Sequence, residues 1–182
     1  VESFDPLDES IRICQRIGDA SGVAWARRVQ ALAFLTLGEL KRSEQLFRQS
    51  ILEFESIGER VMVAFCQLDL IRVLLRANGP GIVELMTSAV AEILPVADAF
   101  IATSVLDTGA DVLLTIGEPA LALELLAASE AWRQSTGTIL PSIVRDEVEV
   151  ARERAAGMLD PVSAQHVLAR GRTQTLRDAM QI

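Results

Sequence analysis

The sequence predicts an all-α fold, an α-solenoid of stacked antiparallel helix hairpins closed by a C-terminal helical cap. Three observations predict it. Apolar residues recur at helical rather than alternating spacing, with β-branched residues scattered through the same pattern. Glycines punctuate the chain in two interleaved series that share a period of about 40 residues. Beyond Gly137 the pattern gives way to charged amphipathic helices with no counterpart one period earlier.

The glycine series come first because they set the register. Arg-Ile-Gly-Asp at Arg16 to Asp19 recurs as Ser-Ile-Gly-Glu at Ser56 to Glu59, an offset of 40. Thr-Leu-Gly-Glu at Thr36 to Glu39 recurs as Thr-Ile-Gly-Glu at Thr115 to Glu118, with glycines 79 apart and Ala77-Asn78-Gly79 almost midway. One series closes each first helix and the other each second helix, because glycine accepts the left-handed conformation at a helix C-terminus.

The elements follow in order. Leu7 to Ile17 reads as the second helix of a truncated hairpin. In the segment from Gly22 to Leu37, Trp25, Val29, Leu32 and Leu35 recur at helical spacing. From Lys41 to Ile57 the stripe is Phe47, Ile51, Phe54 and Ile57, with Arg42, Glu44, Arg48 and Glu53 largely off it. The next pair runs from Val61 to Ala77 and from Ile82 to Leu94, ended by Pro95. A third pair runs from Val96 to Ile116 and from Pro119 to Thr136, where Pro119 suits a first helical turn. Its second helix ends in Leu126 to Gly137, a stretch whose Ser129, Glu130, Trp132 and Arg133 invite a search for a pocket. In register with the glycines, however, it reads as a helix end.

The predicted organisation is therefore repeats over residues 1–137 and a capping segment over 138–182. In the cap, Pro141 opens a charged helix to about Ala156. Asp160-Pro161 starts a short helix to about Arg170, and Thr173 or Thr175 caps a last one containing Leu176 and Met180. A solenoid needs such an end, since its last apolar face would otherwise meet water.

Composition excludes several classes. The 182 residues suffice for a real core, half are apolar, and tyrosine is absent, so Leu, Ala, Val and Ile must build that core. A formal charge of −8 argues against direct nucleic-acid binding and against anionic membrane surfaces. Cys14 and Cys66 lie in apolar helical patterns and form no Cys-x-x-Cys pair, which fits reduced thiols and a cytoplasmic location. No apolar run approaches the ~20 residues of a membrane span, and no signal peptide is visible. Starting with Val and stopping inside a helical pattern, the chain reads as an excised fragment of something larger.

Gly117-Glu118-Pro119-Ala120-Leu121-Ala122-Leu123-Glu124-Leu125-Leu126 resembles the turn and second helix of a tetratricopeptide-like (TPR-like) repeat. The continuation Ala127-Ala128-Ser129-Glu130-Ala131-Trp132-Arg133, with Gly137 and Leu140-Pro141, is similar to the segment that closes such arrays in large bacterial regulators. Further counterparts are Ala151-Arg152, Ala155-Ala156-Gly157, Ala169-Arg170-Gly171-Arg172 and Leu176 with Ala179-Met180. The family resembled is that of the LuxR-type, MalT- or AfsR-like regulators with a signalling ATPase module, and their relatives fused to adenylyl-cyclase domains. The chain departs from the pattern in its longer period of about 40 rather than ~34 residues. It departs again at Met158-Leu159-Asp160-Pro161, where the family tends to have Leu-Gly and a downstream aromatic. The resemblance implies a right-handed α-solenoid acting as a sensor or partner-binding arm, with the ATPase upstream and, in many relatives, a helix-turn-helix downstream.

The residues carry little chemistry. No Gly-x-x-x-x-Gly-Lys-Ser/Thr phosphate loop or Gly-x-Ser-x-Gly elbow occurs. His166 has no second imidazole, and Glu147 and Glu149 lie on different sides of one helix. No catalytic, cofactor-binding or metal-binding residue is expected, nor an enzyme. Aligning hairpins on Gly38, Gly79 and Gly117 puts Arg28, Asp69 and Asp107 at one place in successive first helices, with Arg72, Arg76 and Asp111 near it. First helices line the concave surface of tetratricopeptide-like arrays, so this slot reads as a candidate groove ladder or as salt bridges between repeats. Trp132 and Arg133 are expected at the joint between repeats and cap, the arginine head wet and its stem covering apolar surface. The expected partner is a protein or peptide, including other domains of the same chain. A homodimer, a ligand-free scaffold arm or a small-molecule sensor are the alternatives.

Overall fold

A computed structural model describes residues 5–93, 95, 99–140 and 142–179. Among the described residues the fold is all-α, without strands. The helices are α1 (Asp5–Ile17), α2 (Ala20–Thr36), α3 (Leu40–Ser56), α4 (Arg60–Ala77), α5 (Ile82–Ile93), α6 (Ala99–Ile116), α7 (Pro119–Thr136), α8 (Ser142–Gly157), α9 (Pro161–Thr173) and the single turn α10 (Leu176–Ala179). The predicted helix positions at Leu94, Val96, Pro141 and Met180 lie outside the described residues. No helix among the described residues is long and apolar enough to cross a membrane.

Left-handed residues set the helix lengths. Gly18, Gly38, Gly58, Gly117 and Gly137 all take positive φ, and Asn78 does so at φ 50°. Positions 18, 38, 58 and 78 are thus spaced by 20, as are 117 and 137. Asn78, not Gly79, is the left-handed residue after α4, since asparagine tolerates this region better than most side chains. Gly79 instead donates its N–H to the Leu74 carbonyl at 2.8 Å. A Cβ there would lie 2.7 Å from Leu74 Cδ2, so glycine at this position answers to space rather than handedness.

The chain forms two compact units, Val1–Glu92 and Ile93–Ile182. In the first, α2 packs against α1 and α3, and α3 against α4. Buried Ala31, Leu35, Phe47, Leu70, Val73 and Leu74 form one cluster, on which Ile82 and Leu85 of α5 pack. Ala24, Phe54, Met62, Val63 and Cys66 form another. Two buried hydroxyls fix α2 against α3: Ser43 donates to the Ala31 carbonyl at 2.8 Å and Ser50 to the Ala24 carbonyl at 2.9 Å. Trp25, whose apolar neighbourhood suggests hairpin packing, sets its ring edge-on to Phe54 of α3 at 6.3 Å between centroids, while 43% of the residue stays exposed.

In the second unit α7 is the central helix, contacted by α6, α8, α9 and α10. Every residue from Ala122 to Ser129 is buried, as expected of a helix surrounded on all sides. Ser129 donates to the Thr103 carbonyl at 3.3 Å across α6 and α7. That bond spans 26 residues, as does Ser50 to Ala24, and stands 79 residues further along. Asp160 caps α9 by accepting from the N–H groups of Val162 and Ser163, and Thr175 accepts from the Asp178 N–H before α10. The sequence suggested that α9 stops near Arg170, yet it runs to Thr173 because Gly171 stays helical. Its missing Cβ, which would sit 2.4 Å from the Glu124 carbonyl oxygen, lets α9 lie directly on α7.

Candidate functional site

The candidate groove residues of the first unit form an ion pair. Arg28 on α2 meets Asp69 on α4, with Nη2 2.7 Å and Nε 2.9 Å from Oδ2. Arg72 lies 3.7 Å from the other carboxylate oxygen. Asp69 is buried, and burial pushes its carboxyl above the ordinary range against the pull of Arg28 and Arg72. The Arg28 guanidinium also stacks over Trp25 at 5.4 Å and Phe65 at 5.7 Å, so the cation is held by charge and by two rings. Arg76 reaches back to the Leu35 carbonyl at 3.5 Å. The alignment needs one correction. With Asn78 as the left-handed residue, Leu68 rather than Asp69 stands ten positions before the turn, as Arg28 and Asp107 do.

In the second unit Asp107 on α6 faces α7. Arg133 Nη1 donates to its Oδ2 at 2.8 Å and its Oδ1 at 3.1 Å, and Ser129 donates to Oδ1 at 2.8 Å. Arg133 Nη1 also donates to Ser129 Oγ at 2.6 Å. The expectation of a wet arginine head is therefore overturned. Arg133 is 9% exposed because a buried carboxylate one helix away demands a cation. Asp111 is half-buried one turn beyond Asp107. Trp132 is half-buried too, and its ring nitrogen is buried with no acceptor among the described residues.

The end of α7 faces α8 across an open cleft of about 560 Å³. One face of α7 forms its floor: Leu126, Glu130, Arg133, Gln134 and Gly137 follow helical spacing. The non-helical stretch Thr138 to Leu140 forms one wall, and Arg145, Val148 and Arg152 of α8 line the other. Arg152 crosses it, donating to Glu130 at 3.2 Å and to both oxygens of Glu149 at 2.6 and 2.7 Å. Thus Leu126 to Gly137 is both a helix end and one side of a cavity.

Sequence reasoning missed the contact that fastens α9. Glu124, 2% exposed, accepts from Arg170 and from Gln174. A glutamate inside the apolar run Leu121 to Leu126 was the available signal, since a carboxylate there needs a partner. Among the described residues no group of three or more His, Cys, Asp or Glu could hold a metal ion; His166 is exposed on α9. No protein-family model matches the chain, and no curated protein or solved structure matches it significantly.

Proposed function

We propose that this chain is a non-enzymatic protein–protein interaction or sensor module, built as a tetratricopeptide-like α-solenoid of helix hairpins with a helical cap. In this reading it belongs to a larger bacterial transcriptional or signalling regulator of the LuxR, MalT or AfsR type and works in the cytoplasm. One observation carries the repeat argument. The α2–α3 and α6–α7 hairpins share a serine-to-carbonyl bond at the same span, 79 residues apart, between turns closed by left-handed Gly38 and Gly117. Hairpins alike at this level stack into surfaces that bind other chains.

The candidate groove residues sharpen the mechanism. Arg28 with Asp69, and Asp107 with Arg133, are internal ion pairs that hold helices together. A partner is then bound within a unit, by surface beside such a bolt and by whatever donors the bolt leaves open, rather than by breaking the ion pair. Its binding biases a larger switch only to the extent that it favours one state over another. The test is a titration of the protein with a positional-scanning peptide library, read by nuclear magnetic resonance. Localised shifts support the module, and an unresponsive spectrum removes it.

One observation favours a homo-oligomerisation arm as second reading. On α1, Ile13 and Ile17 stand four apart and are 41% and 69% exposed; on α2, Trp25 and Val29 stand four apart and are 43% and 41% exposed. Light scattering over a concentration series distinguishes this reading by a rise in mass.

A further inference from the structure

The cleft between the end of α7 and α8 has features that a plain helix junction does not need. Arg133 is nine-tenths buried on its floor, and all of its side-chain hydrogen bonds among the described residues pass through Nη1. Its Nε and Nη2 have no acceptor among the described residues, although the side chain lines the cavity. Arg145 on the facing helix is exposed and pairs with no carboxylate among the described residues. Glu130 and Glu149, the carboxylates of the cleft, are both engaged by Arg152. Unspent donors here are therefore cationic, in a chain whose formal charge is −8.

The wall adds a second feature. Ile139 and Leu140 lie outside any helix, and neither makes a backbone hydrogen bond among the described residues. Ile139 is 85% exposed. A non-helical segment with open backbone groups beside a cavity offers main-chain donors and acceptors to an extended peptide laid along it. The floor from Leu126 to Gly137 covers about 16 Å of helix, the length of roughly five extended residues.

The geometry points to this cleft as the docking site of an extended peptide that carries one carboxylate between aliphatic side chains. The carboxylate meets Arg145 and the free edge of Arg133, a charge-assisted fork. Its aliphatic neighbours settle against Leu140 and Val148, both half-buried in the cleft lining, and its backbone runs beside Ile139. This inference rests on the interaction-module reading and gives it a place and a partner chemistry.

The test uses three end-blocked, fluorescein-labelled peptides, Ser-Leu-Asp-Leu-Ser and its Asn and Lys counterparts, with anisotropy as the readout. The Asp peptide binds and the other two bind at least about tenfold more weakly. The substitutions Arg145→Glu and Ile139→Asp alter exposed side chains, so folding is retained. Each lowers affinity for the Asp peptide, the first by about tenfold or more. Equal binding of the Asp and Asn peptides overturns the proposal, as does affinity that neither substitution changes. In both of those cases the interaction-module reading stands. If none of the three binds and the peptide library also leaves the spectrum unmoved, both readings fall.

Discussion

Arg170 of α9 donates from Nε to a carboxylate oxygen of Glu124 at 2.6 Å, reaching 46 residues back into a helix whose middle is otherwise apolar. Arg170 is half-exposed while Glu124 is 3% exposed, so the two ends of the bond are unequal. Removing the arginine leaves a buried charge with only the neutral Gln174 amide to meet it; removing the glutamate leaves a cation that water can solvate.

Arg170→Ala is accordingly expected to destabilise the second unit by about 2–3 kcal/mol. Glu124→Gln on the Arg170→Ala background restores part of that loss, because the stranded charge is gone. Urea unfolding of the two variants and the wild type checks this. A double variant no more stable than Arg170→Ala would contradict the account.

Gly171→Ala tests how closely α9 lies on α7. A Cβ there meets the Glu124 carbonyl oxygen at 2.4 Å and Ala127 Cβ at 2.8 Å, and the carbonyl cannot step aside without moving α7. The expected cost is about 1–3 kcal/mol, with amide exchange accelerated in α9. Gly137→Ala meets nothing within 4 Å, and its cost of about 1 kcal/mol comes from the left-handed backbone alone.

Asp107→Ala leaves Arg133 buried without its carboxylate and is expected to cost about 3–5 kcal/mol. Ser129→Ala removes one neutral partner and costs about 1 kcal/mol. Calorimetric melting of both variants gives the order. The ranking matters for function too, since lost partner binding in an Asp107 variant reports unfolding before it reports contact.

The two thiols should differ sharply. Burial pushes Cys66 up to about 11, against a hydrogen bond with Ser50 and the charge of Arg28, whereas Cys14 is half-buried. At pH 8 an aromatic disulfide reagent is expected to modify one thiol in the native protein and two in denaturant. Rapid modification of both under native conditions would count against the buried α3–α4 contact.

Stability should carry a pH signature at Asp160. Hydrogen bonds from the Ser163 side chain and N–H, with the Val162 N–H, hold its carboxyl below the ordinary value. A depressed carboxyl contributes stability fully above its unfolded value and loses it as pH falls through the folded one. The difference in Tm between wild type and Asp160→Ala should be constant from about pH 7 to pH 5 and shrink below about pH 4.

Helix boundaries were legible because left-handed turn residues are mostly glycine, and apolar stripes need no partner to be seen. Asn78 escaped because the adjacent Gly79 offered a more familiar letter, and one residue of error moved Asp69 into a slot it does not occupy. Arg133 and Glu124 escaped for a different reason. Their burial is decided by Asp107 and Arg170, 26 and 46 residues away, and spacing within one helix says nothing about a contact across helices. The cleft escaped likewise, since two of its three sides come from beyond Gly137.

Ser43 and Ser50 lie seven residues apart on α3, and their acceptors Ala31 and Ala24 lie seven apart on α2 in the opposite sense. The pair works like two dowels through a joint. Sliding one helix by a turn pulls both at once, so misalignment meets an all-or-none penalty instead of a gradual one. At the matching places of α6 and α7, 79 residues on, Ala110 and Ala122 are buried and one dowel is gone, while Ser129 keeps the other. The later hairpin is thus the one free to swivel about a single pin, and the Asp107 to Arg133 clasp is what stops it.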